Sequence, residues 1–269
     1  MSLLNHTPGF TPDEAQQIAD KRFGIVAATI TSLASERDQN FLLTTANGDH
    51  RVLKFSNALE GDRLIEGQNE MMSHLANSGT CCPVALPSVD GQLSISIANE
   101  AGTNHCVRVL TFVEGPTLAS VSSRSDQLLR SLGRHAAEVT RALADFDHSS
   151  FHRPFHWDLA SGSNVIRTRL EFVSDSSLRQ QMTHCLDEFE VNTRELLHLL
   201  PTSVIHNDMN DGNVVVTQTS DSSQCQVRGI IDFGDAVYSW TVGELVVAAA
   251  YGILEQNDPL SAICEIVHG

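Results

Sequence analysis

Two segments in the C-terminal third carry acids and amides at spacings suited to phosphate chemistry. The first, 204–216, reads VIHNDMNDGNVVV and sets His206, Asp208 and Asn213 between two β-branched runs. Such runs read as short buried strands, and the Asp, Asn and Gly residues between them as the joining loop. A hairpin turn needs only about two to five residues, so this loop holds more polar groups than turning requires. The second segment is Gly229-Ile230-Ile231-Asp232-Phe233-Gly234-Asp235. Its Asp232 directly follows apolar residues that read as buried strand, where a carboxylate is costly unless it is hydrogen-bonded or bound to a metal. An Asp that opens a turn is the plainer reading. Taken together, His206-x-Asp208, Asn213 and then Asp232 follow the order of parts in a phosphoryl-transfer site. In that order an acid faces the acceptor hydroxyl, and an Asn and an Asp hold magnesium.

Other candidates lie further from this pair. Lys54, in the run 51–55, is one of two lysines in the chain, the other being Lys21. A lone ammonium on a strand suits a phosphate as a point charge, whereas an edge-strand lysine that discourages aggregation would look the same. Between the first two strand-like runs, Ser35, Arg37, Gln39 and Asn40 could cradle phosphate together with backbone N–H groups, or form a solvated turn. In the connector 148–158, His148, His152 and His156 recur every four residues, a metal-ligand spacing on a helix. Pro154 would break that helix. Trp157 and Asp158 suit a substrate ammonium, since an aromatic face and a carboxylate both attract a cation; a packed tryptophan beside a helix cap is the alternative. Asp235 would assist metal or substrate, or cap a turn. Glu244, inside an apolar helical stretch, is expected to brace the 206–213 loop through backbone N–H groups, and His206 to brace it from within.

These residues need a scaffold, and 269 residues with 41% hydrophobic and 19% charged composition suffice for one or two globular domains. Acids outnumber bases 33 to 17, a formal charge of -16. That balance argues against nucleic acid or an anionic membrane as partner, because phosphate backbones and lipid headgroups call for clustered Lys and Arg. It would draw in a small cation, although solubility explains it equally well. The six cysteines include one adjacent pair, Cys81 and Cys82, and no CxxC spacing, so reduced thiols are expected. The N-terminal residues lack a secretory pattern, and the apolar run 245–254 falls short of the roughly 18 residues of a membrane span. A cytoplasmic location is expected.

Along the chain, Thr11-Pro12-Asp13-Glu14 opens a predicted helix to Phe23 with a cap residue, a first-turn proline and acids at its positive end. Alternating runs at 25–33, 40–45 and 51–55, with Asn47-Gly48-Asp49 turning between the last two, read as a β-meander. A helical pattern at 62–76 and strand-like runs at 93–98 and 106–112 precede the break Glu114-Gly115-Pro116. Beyond it, helical patterns fill 125–146 and 176–200, and another begins at Val242. The expected fold is α+β, with an antiparallel-sheet lobe at 1–113 and a mainly helical lobe at 114–269. Ligands often bind between such lobes.

The two C-terminal motifs, with LIEGQNEMMSHL, RVLTFVEGP, FHWDL and GIIDFGDAVYSWTVGELVVAAAYGIL, resemble the aminoglycoside phosphotransferase and choline kinase superfamily along nearly the whole chain. The wording is most similar to the hydroxylysine kinase branch and to kinase domains fused to class III aminotransferases. The resemblance implies a bilobal protein-kinase-like fold, ATP or GTP as co-substrate, Asp208 as the base, and Mg2+ held by Asn213 and Asp232. It also implies that Lys54 meets the phosphates and that 110–113, with Leu110 and Phe112, forms the hinge pairing with the nucleotide base. The glycine-rich loop of protein kinases is missing, and the 35–41 run stands in its place. An acid on the following helix should hold Lys54; Glu66 and Glu70 share one helical face, and Glu66 is preferred, although the superfamily's acid aligns nearer Gln68. The implied acceptor is a small cationic amino alcohol or hydroxyamino acid, hydroxylysine first, with choline, ethanolamine, homoserine and aminoglycosides as alternatives. A nucleotide-binding pseudokinase serving a fused or partner aminotransferase is the other reading, against which Asp208, Asn213 and Asp232 all stand intact. A hydrolase with His206 and Asp208 as metal ligands ranks last. The amphipathic pattern at 262–269 stops where related kinases continue, so the helical lobe is expected to be shortened and its acceptor pocket open on one side.

Overall fold

The computed structural model describes residues 6–219 and 224–269. Its contacts divide the chain into two compact units, residues 1–115 with 228–231, and residues 116–227 with 232–269.

The N-terminal unit opens with helix α1, Pro12–Phe23. The Glu14 amide donates to Thr11 Oγ1 and the Thr11 amide to Glu14 Oε2, a capping box that closes two otherwise open backbone donors. Gly24, at φ 67°, ends the helix in the left-handed region that glycine tolerates. The strands are β1 (Ala27–Leu33), β2 (Gln39–Thr45), β3 (His50–Phe55), β4 (Ala85–Leu86), β5 (Ile95–Ala98) and β6 (Asn104–Thr111). They form one six-stranded antiparallel sheet in the order β1-β2-β3-β6-β4, with β5 also on β6. Helix α2, Asp62–Asn77, follows β3.

Strand alternation sorts the side chains of this sheet into two sets. Phe41, Leu43, Leu53, Phe55, Val107 and Val109 join Ala15, Ala19 and Phe23 of α1 in a buried apolar cluster. The intervening register Asn40↔Lys54↔Arg108 belongs to the opposite face. Segment 228–231 groups with this unit because the Ile230 amide donates to Cys81 O at 3.1 Å. Gly229 permits that approach, since a Cβ there would sit 2.2 Å from the same carbonyl oxygen.

In the C-terminal unit, α3 (Asp126–Ala142) packs on α6 (Gly243–Gly252) and α7 (Pro259–His268). A Cβ on Gly133 would lie 1.7 Å from Ile266 O, so α3 and α7 touch backbone to backbone at that point. Helices α4 (Gly162–Arg169) and α5 (Ser176–Thr193) come between. Strands β7 (Thr202–Ile205) and β10 (Val237–Trp240) pair antiparallel, and β8 (Val214–Val216) follows the 206–213 loop; β9 (Val227–Ile230) leads into the segment that groups with the N-terminal unit.

The α+β character and the change from sheet to helices agree with the sequence patterns. The helical pattern predicted over 176–200 is regular only to Thr193 and then becomes a 3-10 turn at Leu197–Leu199, ahead of Pro201, which disfavours helix in the residue before it. The pattern over 125–146 likewise ends at Ala142. All six cysteines are free, and no helix among the described residues is long and apolar enough to cross a membrane.

Candidate active site

In the C-terminal unit, β7 delivers the chain into the 206–213 loop. Asn207 has φ 66°, the left-handed region that asparagine enters more readily than most residues. The half-buried Asp208 is held at both carboxylate oxygens, Oδ1 accepting from Asn210 Nδ2 at 2.8 Å and Oδ2 from Asn213 Nδ2 at 2.7 Å. Asn210 Oδ1 in turn accepts from the amides of Gly212 and Asn213 at 2.7 and 3.1 Å. Asp208, Asn210 and Asn213 are thus committed to one another and Asp211 to Arg124, which explains why the loop is more polar than a turn requires.

Glu244 supports the loop as its position suggested. It is fully buried on α6, and its Oε2 accepts from the His206 amide at 2.6 Å. Burial pushes its carboxyl up to about 7, with Asp208 adding to the rise and the amides of His206 and Asn207 opposing it. The His206 ring is also fully buried, lies edge-on to Phe233 at 4.7 Å, and accepts from the Asp208 amide through Nδ1. Asn207 Nδ2 donates to the carbonyls of Trp157 and Asp235 at 3.4 and 3.3 Å. These contacts tie the loop to the Asp232-Phe233-Gly234-Asp235 segment and to the connector.

Asp232 corrects one expectation. It is exposed rather than buried, with φ 62°, and its Oδ1 accepts from the Gly234 amide at 3.2 Å. The strand ends at Ile230, and the acid opens the turn that follows at the surface, so the cost of burying a carboxylate does not apply. In the connector, two 3-10 turns, Ser149–Phe151 and Leu159–Ser161, stand on either side of Pro154. His148 bonds Ser150, while His152 bonds Asp147 at 2.7 Å and stacks on Tyr238. Trp157 is 66% exposed. Asp158 caps the second turn through Ala160 N and also accepts from the Ser239 hydroxyl, so its carboxylate already has two structural partners. Arg153, which the sequence did not single out, donates to the carbonyls of Gly234 and Ala236 at 3.0 and 3.2 Å and thereby fixes the turn after Asp232.

In the N-terminal unit, Lys54 is 6% exposed and β3 lies inside the sheet, which removes the edge-strand reading. Its Nζ lies 2.6 Å from Asp38 Oδ2. The expected Glu66 partner is not there. Glu66 is exposed and pairs with Arg63 at 2.7 Å, and Glu70 is exposed as well, because the buried face of α2 instead presents Ile65, Gln68, Asn69, Met72 and Leu75. Gln39 is also a correction, since its side-chain amide exchanges hydrogen bonds with the backbone of Phe10 at 2.8 and 2.6 Å and is spent on the fold. Ser35 Oγ accepts from the Asp38 amide, and the Arg37 carbonyl accepts from Asn57 Nδ2. At the expected hinge, Leu110 pairs in register with Val52 and Ala85, and the Phe112 ring lies edge-on to His50. Glu60 was not anticipated. Its Oε2 is shielded from solvent, and burial, then Asp38, pushes its carboxyl up to about 7 against Lys54, Arg108 and Arg37.

A Lys-bearing antiparallel sheet unit followed by a mainly helical unit with an Asp–Asn loop defines a kinase-like phosphotransferase. Residues 29–265 match the model of the phosphotransferase enzyme family, and the chain belongs to that family. The chain is 29% identical to "Hydroxylysine kinase" of Xenopus laevis, with 97% of this chain and 74% of that protein covered. It is 31% identical to "Hydroxylysine kinase" of Mus musculus, covering 100% and 76%. Among solved structures it is similar to an amicoumacin kinase in complex with AMP-PNP, Ca2+ and Ami (TM-score 0.70, 17% identity, 97% and 77% covered) and to a microcompartment-associated aminopropanol kinase (TM-score 0.67, 19% identity, 95% and 78% covered). The fold is therefore protein-kinase-like, and the chain is a phosphotransferase that acts on a hydroxyl group of a small molecule with a nucleotide as co-substrate. The comparisons lend no support to a fused aminotransferase.

Proposed function

We propose that this protein transfers the γ-phosphoryl group of ATP or GTP to the side-chain hydroxyl of hydroxylysine or a closely related hydroxyamino acid. The observation that carries the reading is the Asp208 carboxylate, fixed at both oxygens by Asn210 and Asn213 on a loop that Glu244 braces from below. A base so held is pre-oriented to accept the proton of an attacking hydroxyl, and positioning of this kind is the main protein contribution to phosphoryl transfer. Lys54 supplies a positive charge to the nucleotide phosphates. Asn213 and Asp232 would hold Mg2+. The residues fit an oxygen-seeking ion: Asn213 donates twice to Asp208 through Nδ2 and so keeps its Oδ1 as an acceptor, while Asp232 offers an exposed carboxylate. When bound, the ion supplies charge neutralisation at the phosphates.

The names of the Xenopus and mouse relatives support hydroxylysine, and the exposed Trp157 suits its ammonium. Homoserine is the second substrate to examine, because 76% of the chain aligns at 26% identity with "Homoserine kinase" of Mesorhizobium japonicum. The six free thiols suit the cytoplasm as the place of action. The test is a coupled nucleotide-release assay over hydroxylysine, homoserine, choline, ethanolamine and an aminoglycoside, each with ATP and GTP. Hydroxylysine is expected to give the highest kcat/KM, and turnover with choline or an aminoglycoside alone would overturn the assignment.

A further inference from the structure

The polar face of the N-terminal sheet places Lys54 and Arg108 side by side on β3 and β6, exposed by only 6% and 1%. Two buried cations in adjacent register repel unless each is separately satisfied. Arg108 donates to Gln68 Oε1 at 2.8 Å and to Asn69 Oδ1 at 2.9 Å, both neutral groups of α2. Helix α2 turns no carboxylate toward the sheet, because Glu66 and Glu70 are on its exposed side. The helix that would be expected to hold the lysine is therefore anchored to the sheet through a different residue.

Asp38 supplies a negative charge to the lysine. Its Oδ2 meets Lys54 Nζ at 2.6 Å with side-chain exposures of 8% and 7%, and its Oδ1 accepts from the Asn57 amide at 2.9 Å. Asn57 Nδ2 donates back to the Arg37 carbonyl at 3.2 Å, so two bonds tie the 37–38 segment to Asn57 just beyond β3. The neighbouring Glu60 is a poorer counter-charge, because burial favours its protonated form. We propose that Asp38 is the positioning residue for Lys54, and that Arg108 with Gln68 and Asn69 separately anchors α2, so that lysine placement and helix placement run through different pairs. This rests on the reading of Lys54 as a nucleotide ligand. An ammonium has three donors, and Asp38 takes up one of their directions.

The experiment measures nucleotide KM, kcat and melting temperature for the wild type, Asp38→Asn, Asp38→Glu, Lys54→Met and the double variant Asp38→Asn/Lys54→Met. Asn retains an oxygen for the Asn57 amide and removes only the charge. Asp38→Asn should raise nucleotide KM by about 10-fold or more, as expected for loss of a charge-assisted bond that holds the ligand's partner. Asp38→Glu should recover part of that loss, and the double variant should be no worse than Lys54→Met alone, since Asp38 acts through the lysine. A fall in melting temperature with unchanged KM would overturn the proposal, as would a double variant whose losses multiply. If Asp38→Asn does not fold, Asp38→Glu decides: a shifted KM at an unchanged melting temperature supports the proposal, and an unchanged KM overturns it. Impairment by Lys54→Met without any effect at Asp38 would sink this inference alone, whereas unchanged nucleotide KM in Lys54→Met would sink the reading of the lysine as well.

Discussion

Glu244→Gln should change how the helical unit's stability responds to pH. In the folded protein this carboxyl is fully buried and is pushed up to about 7, against an ordinary value of 4.5. The folded state therefore binds the proton more tightly than the unfolded chain between these values. The group's contribution is present in full below 4.5, is lost as pH rises through about 7, and then levels off. The interval from 4.5 to about 7, at about 1.4 kcal/mol for each pH unit, gives about 3 kcal/mol. Gln cannot ionise, yet its carbonyl oxygen can still accept from the His206 amide. Urea unfolding followed by the fluorescence of Trp157 and Trp240, both in the C-terminal unit, reads the relevant transition. Between pH 4.5 and 8 the stability of the variant relative to wild type should rise by about 3 kcal/mol. Taking that difference cancels other titrations, including buried His135, whose lowered value works in the opposite direction. A difference that stays constant with pH would refute the account of this buried carboxyl.

Two further substitutions probe the site and its frame. Asp232→Asn preserves a backbone at φ 62°, which asparagine tolerates, and should abolish Mg2+-dependent nucleotide binding by calorimetry; unchanged binding would reduce Asp232 to a turn residue. Gly133→Ala should lower stability by about 1–3 kcal/mol in thermal unfolding, because its methyl group would meet the Ile266 carbonyl where α3 crosses α7, and an unchanged Tm would show that α7 is not packed there.

What the sequence revealed was chiefly what neighbouring residues determine. Thr11 caps its helix as its position announced, and Glu244 reaches the His206 amide as expected of an acid bracing that loop. Asp208 and Asn213 meet within one loop, so their spacing carries the geometry. The lysine environment was hidden because it depends on strand pairing between distant segments. Only the register of β3 with β6 brings Arg108 beside Lys54, and that register leaves Gln68 and Asn69 to the arginine. Helical periodicity correctly grouped Glu66 with Glu70, but it could not say that their shared face points to solvent. Gln39 had the polarity of a phosphate ligand and was instead consumed by the backbone of Phe10, a contact spanning 29 residues.

Asp208 is proposed to serve as the base in phosphoryl transfer to a hydroxyamino acid. Steady-state transfer to hydroxylysine at saturating nucleotide, compared between the wild type and Asp208→Asn, tests it most directly when nucleotide Kd is measured on the same samples. In the variant kcat should be lower by about 100-fold or more with Kd unchanged, the usual contribution of a positioned base. Near-normal turnover in Asp208→Asn would contradict it.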